Sequence, residues 1–178
     1  MHCQLTLHPD HQCPPVSRIE VDVNRWGGGM LDLRYRIYGD LAALALPKVA
    51  SAIRADGLWE QTCLEAFVRE QGRSGYRELN FAPSAAWAAY GFTSYRSGMM
   101  EAAITPQSIT VRQAADRFEL DAALYVDLED MALWSIGLCA VVAETGGNKS
   151  CWALHHPPGK ADFHHDDGFA MTLSGTAV

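Results

Sequence analysis

Aromatic and hydrogen-bonding side chains are concentrated between positions 56 and 87 of the chain. Aromatic rings can pack against the C–H surface of a sugar, and carboxyl and amide groups can bind its hydroxyl groups. Residues of these types are Trp59, Glu65, Tyr76, Glu78, Asn80 and Trp87. They indicate a site for a small polar ligand. Structural roles stay open, because tryptophans are common in sandwich cores and Arg69 with Glu78 would form an ordinary cross-strand ion pair.

Histidines are concentrated in a second stretch, which runs from position 155 to position 165. Imidazole and carboxylate groups bind zinc and other divalent ions, and carboxylates also bind calcium. The candidate metal ligands are His164, His165 and Asp162, and the candidate contacts to an organic ligand are His155, His156 and Lys160. The alternative is a structural loop, stiffened by two prolines, that closes one end of the fold.

A β-hairpin is the element predicted to position the first group. Apolar and polar residues alternate through positions 64–69 and again through 76–81, and the residues 72–75 between them are typical of a turn. Complementary pairing favours the register that places Ala66 opposite Phe81 and Arg69 opposite Glu78. The residues then predicted to share the polar face are Glu65, Phe67, Tyr76, Glu78 and Asn80.

Turn residues separate further alternating segments along the rest of the chain, with no sustained helical period. A second hairpin is predicted around residues 26–29, with Val21 opposite Leu33 and Glu20 opposite Arg34. The apolar run 134–143 predicts a central strand covered on both faces, and residues 127–131 predict one helical turn. Together the patterns predict an all-β fold, a single antiparallel β-sandwich domain of about ten strands over residues 1–178.

Trp59, the Glu65-x-Phe67 strand and the pattern Tyr76-x-Glu78-x-Asn80 resemble the core of DOMON domains and family-nine carbohydrate-binding modules. The similarity continues through residues 87–99 and 150–169, and it extends to a bacterial DOMON-like subgroup associated with a cell-wall reductase. It implies a jelly-roll or immunoglobulin-like sandwich that binds sugar or haem on a concave face. Sugar-binding members hold the ligand between two tryptophans, and we expect Trp59 and Trp87 to stack on it. The loops here lack the clear acidic calcium cluster of those modules.

Haem-binding members of the superfamily use a methionine and a histidine as axial ligands. The counterparts here would be Met99 or Met100 with His155 or His156. The methionines lie in a predicted turn and the chain has no Cys-x-x-Cys-His attachment motif, so haem is the less favoured cofactor.

Composition limits the partners of the chain. Its 178 residues carry a formal net charge of -7 and no basic stripe, which disfavours binding to nucleic acid. It has no apolar run of membrane-spanning length and no signal-peptide pattern, so we expect no membrane partner and a cytoplasmic location. Its five cysteines are scattered and odd in number, which favours reduced thiols.

The sequence therefore favours a non-catalytic module that binds a small glycan or related polar ligand on the concave sheet face. Two alternatives stay open. One is a metal-dependent enzyme centred on the histidines of residues 155–165, and the other is a protein–protein interaction module. The sequence fixes neither the identity of the ligand nor the oligomeric state.

Overall fold

The computed structural model describes residues 1–175 and consists almost entirely of β-strands. The strands are β1 (His2–Leu7), β2 (Val16–Trp26), β3 (Met30–Gly39), β4 (Cys63–Glu70), β5 (Tyr76–Phe81), β6 (Trp87–Phe92), β7 (Met100–Glu101), β8 (Pro106–Gln113), β9 (Arg117–Tyr125), β10 (Trp134–Ala143), β11 (Lys149–Ala153) and β12 (Met171–Leu173). The helices are single 3-10 turns at Gly27–Gly29, Leu41–Ala43, Leu58–Glu60 and Asp166–Gly168. Each of these strands pairs antiparallel with its neighbours, which confirms the predicted antiparallel all-β class.

The strands form two layers that β1 joins at one side. The first sheet has the order β1-β2-β3-β9-β8, and the second has the order β7-β6-β5-β4-β10-β11. Residues 2–5 of β1 pair with β2, whereas Thr6 and Leu7 pair with β11. β12 pairs with the beginning of β10.

The main hydrophobic core lies between the two sheets. Every second residue of β2 and β3 points into it, so that Ile19, Val21 and Leu33 are essentially inaccessible to solvent. Leu79 and Trp134 enter the same core from the second sheet. Because both sheets supply apolar side chains at every second position, burial of this area is the main stabilising term of the sandwich.

The outer face of the second sheet is also buried. Phe67, Tyr76, Phe92 and Phe169 belong to a second apolar cluster on this side, away from the main core. β10 lies between β4 and β11 and is buried along most of its length, which confirms the predicted central strand with both faces covered. The cover comes mainly from residues 161–169, which we call the roof segment.

Close contact between the roof segment and β10 depends on Gly137. A Cβ atom at this position would lie 2.9 Å from the backbone oxygen of Gly168. The roof segment is held further by Arg69, whose Nη1 donates to Oδ1 of Asp166 at 2.5 Å and whose guanidinium lies 4.1 Å from the Phe169 ring centroid. A glycine in β10 therefore lets a loop backbone approach the sheet directly.

The two predicted hairpins are present, but both registers were predicted wrongly by two residues. Ala66 lies opposite Leu79 rather than Phe81, and Val21 lies opposite Tyr35 rather than Leu33. Side chains alternate with a period of two, so this shift leaves every residue on its predicted face. The cross-strand pairs are different, and Glu78 is opposite Phe67 instead of Arg69.

Two further features of the fold concern helices. Residues 127–131 form one bend, at Leu128, and a turn that begins at Asp130, so the predicted helical turn there was wrong. Within residues 1–175, no helix has both the length and the apolar character needed to cross a membrane.

Candidate functional site

An open pocket of about 410 Å³ lies on the outer face of the second sheet, beside the roof segment. Its volume falls within the usual range for small-molecule sites, about 300–1,000 Å³. The residues that line it are Trp59, Glu65, Glu78, Phe92, Arg96, Met99, Val141, Cys151, Ala161, Phe163 and His164. The pocket thus combines strand residues on its floor with loop residues on its sides.

Strand alternation brings the polar residues of the pocket floor to the same face of the second sheet. Glu65 in β4 lies directly opposite Asn80 in β5, and Glu78 is two residues before Asn80 on the same face. This arrangement confirms that the predicted polar set shares one face of the hairpin. Val141 of β10 and Cys151 of β11 are directly opposite each other and continue the floor across the sheet.

Glu65 is buried and incompletely hydrogen-bonded. Its Oε2 lies 3.9 Å from the Cys139 thiol, a weak contact, while its buried Oε1 has no hydrogen-bond partner within the part of the chain described. Burial and, to a smaller degree, the neighbouring Glu78 carboxylate raise the pKa of Glu65 to about 8. At neutral pH the carboxyl therefore holds its proton and can donate or accept a hydrogen bond.

Glu78 is oriented by its neighbour on the strand. Asn80 Nδ2 donates to Oε1 of Glu78 at 2.7 Å, which leaves Oε2 on the side of His164. Burial raises the pKa of Glu78, whereas the bond from Asn80 and the charge of Arg96 act in the opposite direction. Asn80 is fully buried and does not line the pocket, so its role is to position Glu78.

A chain of hydrogen bonds fixes the orientation of His164. The backbone N–H of Arg96 donates to the Tyr76 hydroxyl at 3.2 Å, and this hydroxyl is 2.7 Å from Nδ1 of His164. Burial lowers the pKa of His164 to about 4, with a smaller contribution from Arg96, so the imidazole is neutral near pH 7. The hydroxyl then donates to Nδ1, which assigns the imidazole hydrogen to Nε2, 3.7 Å from Oε2 of Glu78.

Asp162 ties the roof segment to the loop after β6. Its carboxylate accepts from the Tyr95 hydroxyl at 2.7 Å, from Arg96 Nη2 at 2.8 Å and from the backbone N–H of His164 at 3.2 Å. Partial burial raises the pKa of Asp162, but these hydrogen bonds outweigh it and keep the pKa below its usual value. Arg96 itself adopts a φ of 50°, which such a network can stabilise in a non-glycine residue.

Aromatic rings form the sides of the pocket. Trp59 is 39% exposed and lies edge-on to Tyr90, with ring centroids 5.8 Å apart. The Tyr90 hydroxyl donates to Asp56 at 2.5 Å, so the segment that carries Trp59 is anchored to β6. An exposed indole beside buried polar groups is the combination of surfaces that polar ring-shaped ligands require.

Trp87 lies on the opposite side of the sheet from the pocket. It is the first residue of β6 and lies opposite Phe81 of β5, and both side chains pack against the main core. The prediction that Trp59 and Trp87 stack on one ligand was therefore wrong. The reason is strand alternation, because residues 87 and 89 face the core while residues 88 and 90 face outward.

The first half of the histidine stretch is also outside the pocket. His156 Nε2 donates to the Thr6 carbonyl at 2.9 Å, and its ring lies edge-on to His8 at 4.8 Å. His155 and Lys160 are exposed and do not line the pocket. Of residues 155–165, only Ala161, Phe163 and His164 contribute to its lining, so the predicted contacts from His155, His156 and Lys160 are not brought to this site.

The predicted metal ligands do not converge on a common point. Asp162 is occupied by Tyr95 and Arg96, and His164 Nδ1 is occupied by Tyr76. His165 Nδ1 accepts from the backbone N–H of Asp167 at 3.2 Å. In the chain as far as residue 175, no group of three or more His, Cys, Asp or Glu side chains is arranged to hold a metal ion.

The methionine–histidine pairs considered for haem are likewise separated. Met99 lines the pocket, but His155 and His156 do not. His155 and His156 instead border a separate depression with Thr6 and Leu7 of β1.

Sequence reasoning missed most of the pocket walls. Phe92 is two residues after Tyr90 in β6 and therefore points to the same face, so alternation along the strand could have predicted it. Arg96, Met99 and Phe163 lie in loops, whose positions against the sheet depend on contacts between distant parts of the chain. A pattern within one strand carries no signal for such contacts.

Solved structures with a similar fold include carbohydrate-binding proteins. A candidate carbohydrate-binding protein from Bacteroides uniformis ATCC 8492 is similar with a TM-score of 0.67 and 14% identity, over 99% of this chain and 86% of that one. A family-nine carbohydrate-binding module from Caldicellulosiruptor kristjanssonii in complex with glucose has a TM-score of 0.51 and 10% identity, over 98% and 85%. A family-nine module from the same organism in complex with cellotriose has a TM-score of 0.50 and 11% identity, over 87% and 74%.

These similarities establish a shared β-sandwich fold with carbohydrate-binding modules. No family model matches the chain, and no curated protein matches it in sequence. The finer DOMON-like assignment therefore stays a prediction. Fold and ligand are separate questions, because one fold carries many functions.

Proposed function

We propose that the chain is a non-catalytic carbohydrate-binding module and that the pocket beside the roof segment holds the sugar. The observation that carries the proposal is the pairing of buried, partly unsatisfied polar groups on the floor with an exposed indole at the side. The floor supplies directional hydrogen bonds and the indole supplies an apolar face, as sugar rings require. The fold shared with modules in complex with glucose and cellotriose supports the same function.

Five residues of the pocket lining and two residues behind it have distinct tasks in this proposal. Trp59 packs against the C–H face of the ring, and Phe163 of the roof segment limits the ligand from another side. Oε1 of Glu65 and Oε2 of Glu78 bind hydroxyl groups, and Nε2–H of His164 donates to a ligand oxygen. Tyr76 and Asn80 are positioning residues, because they orient His164 and Glu78.

A matched pair of tryptophan variants tests the proposal. Trp59 is at the pocket, whereas Trp26 is 52% exposed at the end of β2 and lies outside the pocket. Isothermal titration with glucose and cellotriose measures affinity for the wild type, Trp59→Ala and Trp26→Ala. We expect at least one sugar to bind the wild type, and Trp59→Ala to weaken it about tenfold because the aromatic contact is lost.

Trp26→Ala controls for the loss of an exposed tryptophan away from the pocket. Trp26→Ala should bind the sugar as the wild type does, since its indole contacts Asp32 rather than the pocket. Equal affinity of Trp59→Ala and the wild type, or an equal loss in both variants, would contradict the proposed site.

A further inference from the structure

Two buried carboxyl groups share the floor of the pocket. Glu65 and Glu78 lie on adjacent strands and on the same face, with exposed fractions of 3% and 5%. Within residues 1–175, neither forms an ion pair with a lysine or arginine, and the nearest basic group is His164 Nε2 at 3.7 Å from Glu78. The floor therefore concentrates negative charge whenever both carboxyls are ionised.

One oxygen of this pair points to a ligand. Oε1 of Glu65 is buried, belongs to a residue that lines the pocket, and has no hydrogen-bond partner among the described residues. Its companion Oε2 lies 3.9 Å from the thiol of Cys139, a long and weak contact. An unpaired buried carboxyl oxygen is unfavourable, so a ligand group that donates to it recovers the lost hydrogen bond.

The groups around the pocket do not neutralise the negative charge of its floor. Arg96 is the cation at the edge of the pocket, but its guanidinium donates to Asp162 at 2.8 Å and its side chain is about half exposed. His164 adds no charge near neutral pH because burial lowers its pKa to about 4. The other titratable groups near Glu65, all with a pKa raised by burial and therefore neutral, are Cys63, Cys139, Cys151 and Tyr35.

We propose that the pocket selects its sugar by charge and prefers an amino sugar, whose ammonium group pairs with the carboxyl groups of Glu65 and Glu78. This inference rests on the proposed carbohydrate-binding function and adds the class of ligand. A neutral sugar supplies hydroxyl donors to the same oxygens but no compensating charge. A uronic acid brings a carboxylate of its own to a floor that carries two acidic groups, so it adds like charge beside Glu78 and no compensating charge.

Binding of an ammonium group also changes the protonation of the floor. Burial and Glu78 raise the pKa of Glu65 to about 8, so without ligand the carboxyl holds its proton at pH 6.5. A nearby ammonium favours the carboxylate, and the displaced proton passes to the buffer. A neutral sugar leaves this proton in place. Proton release therefore distinguishes ion pairing from a better steric fit.

The experiment compares D-glucosamine, D-glucose and D-glucuronate at pH 6.5 by isothermal titration in two buffers of different ionisation enthalpy. We expect D-glucosamine to bind about tenfold or more tightly than D-glucose, with release of about one proton, and D-glucuronate to bind most weakly. Glu65→Gln removes the titrating group at nearly constant shape, so it should abolish proton release and reduce the preference for D-glucosamine. Glu78→Gln should reduce that preference as well, and thermal unfolding shows that each variant is folded.

Each outcome bears on a different part of the proposal. If D-glucose binds but D-glucosamine binds no more tightly, charge selection is overturned while carbohydrate binding stands. Proton release that persists unchanged in Glu65→Gln also overturns it, because the proton must then come from another group. If none of the three sugars binds, charge selection fails, and the proposed function fails with it when cellotriose does not bind either.

Discussion

The outer faces of the two sheets carry similar residues in very different surroundings. On the first sheet, Asp22 accepts from Arg36 at 2.6 Å, and Asp121 is paired with Arg34, at positions that solvent reaches. On the second sheet, Glu65 and Glu78 are buried beside the roof segment. Strand alternation places an acidic residue on the outer face in both cases. Only the cover supplied by distant loops makes one face a salt-bridge surface and the other a candidate site.

The protonation of the acidic residues follows this difference. Partial burial raises the pKa of Asp22, but hydrogen bonds from His2 and Arg36 outweigh it and lower the pKa overall. Glu65 has burial without a cationic partner among the described residues, and its pKa rises to about 8. The folded state therefore favours the charged form of a carboxylate that has a cationic partner, and the neutral form of a carboxyl that is covered without one.

The largest expected effect is a pH dependence of stability that arises from Glu65. The unfolded chain gives this group a pKa near 4.5 and the folded state raises it to about 8. Its contribution to the free energy of unfolding is fully present below pH 4.5 and is lost as pH rises to 8. The reason is that the unfolded state releases the proton above pH 4.5, whereas the folded state retains it until about pH 8. We measure the free energy of unfolding with urea at pH 5 and at pH 8.5. The difference between the two pH values should be smaller in Glu65→Gln than in the wild type by roughly 2–4 kcal/mol. An identical slope in the variant and the wild type would refute the buried-carboxyl account.

A smaller effect is expected from weakening the cover itself. Gly137→Ala places a Cβ atom 2.9 Å from the Gly168 carbonyl oxygen, so the roof segment must move. We expect a loss of about 1–3 kcal/mol in the free energy of unfolding, measured by urea denaturation. Gly146→Ala is the matched control, since a Cβ there meets no atom within 4 Å. Similar losses in the two variants would mean that the roof segment does not depend on Gly137.

The smallest effect is expected on the first sheet. Asp121→Asn removes the charge that pairs with Arg34 and Arg112, both of which are about half exposed. Exposed ion pairs contribute little, so the free energy of unfolding should fall by about 0.5 kcal/mol. Urea denaturation at low and high salt measures this value and its screening. A loss as large as that in Gly137→Ala would remove the distinction between the two outer faces.

Alternation in the sequence was sufficient to predict faces but not registers. The hairpin of β4 and β5 was predicted with Arg69 opposite Glu78, since opposite charges favour that pairing. In the structure Arg69 binds Asp166 of the roof segment, and Glu78 binds Asn80 on its own strand. Charge complementarity misled because the true partners lie far along the chain or within one strand. A shift of two residues keeps the faces, so alternation could not detect it.

The candidate site was predictable only where strands form it. Glu65, Glu78 and Asn80 follow from the hairpin, and Trp59 follows from its place just before β4. Phe163 and His164 depend on the roof segment docking against β5 and β10, which needs the close approach at Gly137 and the anchor at Asp162. Trp87 was predicted at the site because tryptophan is a common sugar-binding residue. Its position in β6 directs it to the main core instead.

The position of β1 in both sheets has a consequence for folding during synthesis. Thr6 and Leu7 pair with Ala153 and Trp152, so the second half of the first strand has no pairing partner until β11 has been made. Pairings between such distant segments form slowly. A nascent chain that stops before β11 therefore presents an unpaired strand edge, which is prone to aggregation and is a binding surface for chaperones.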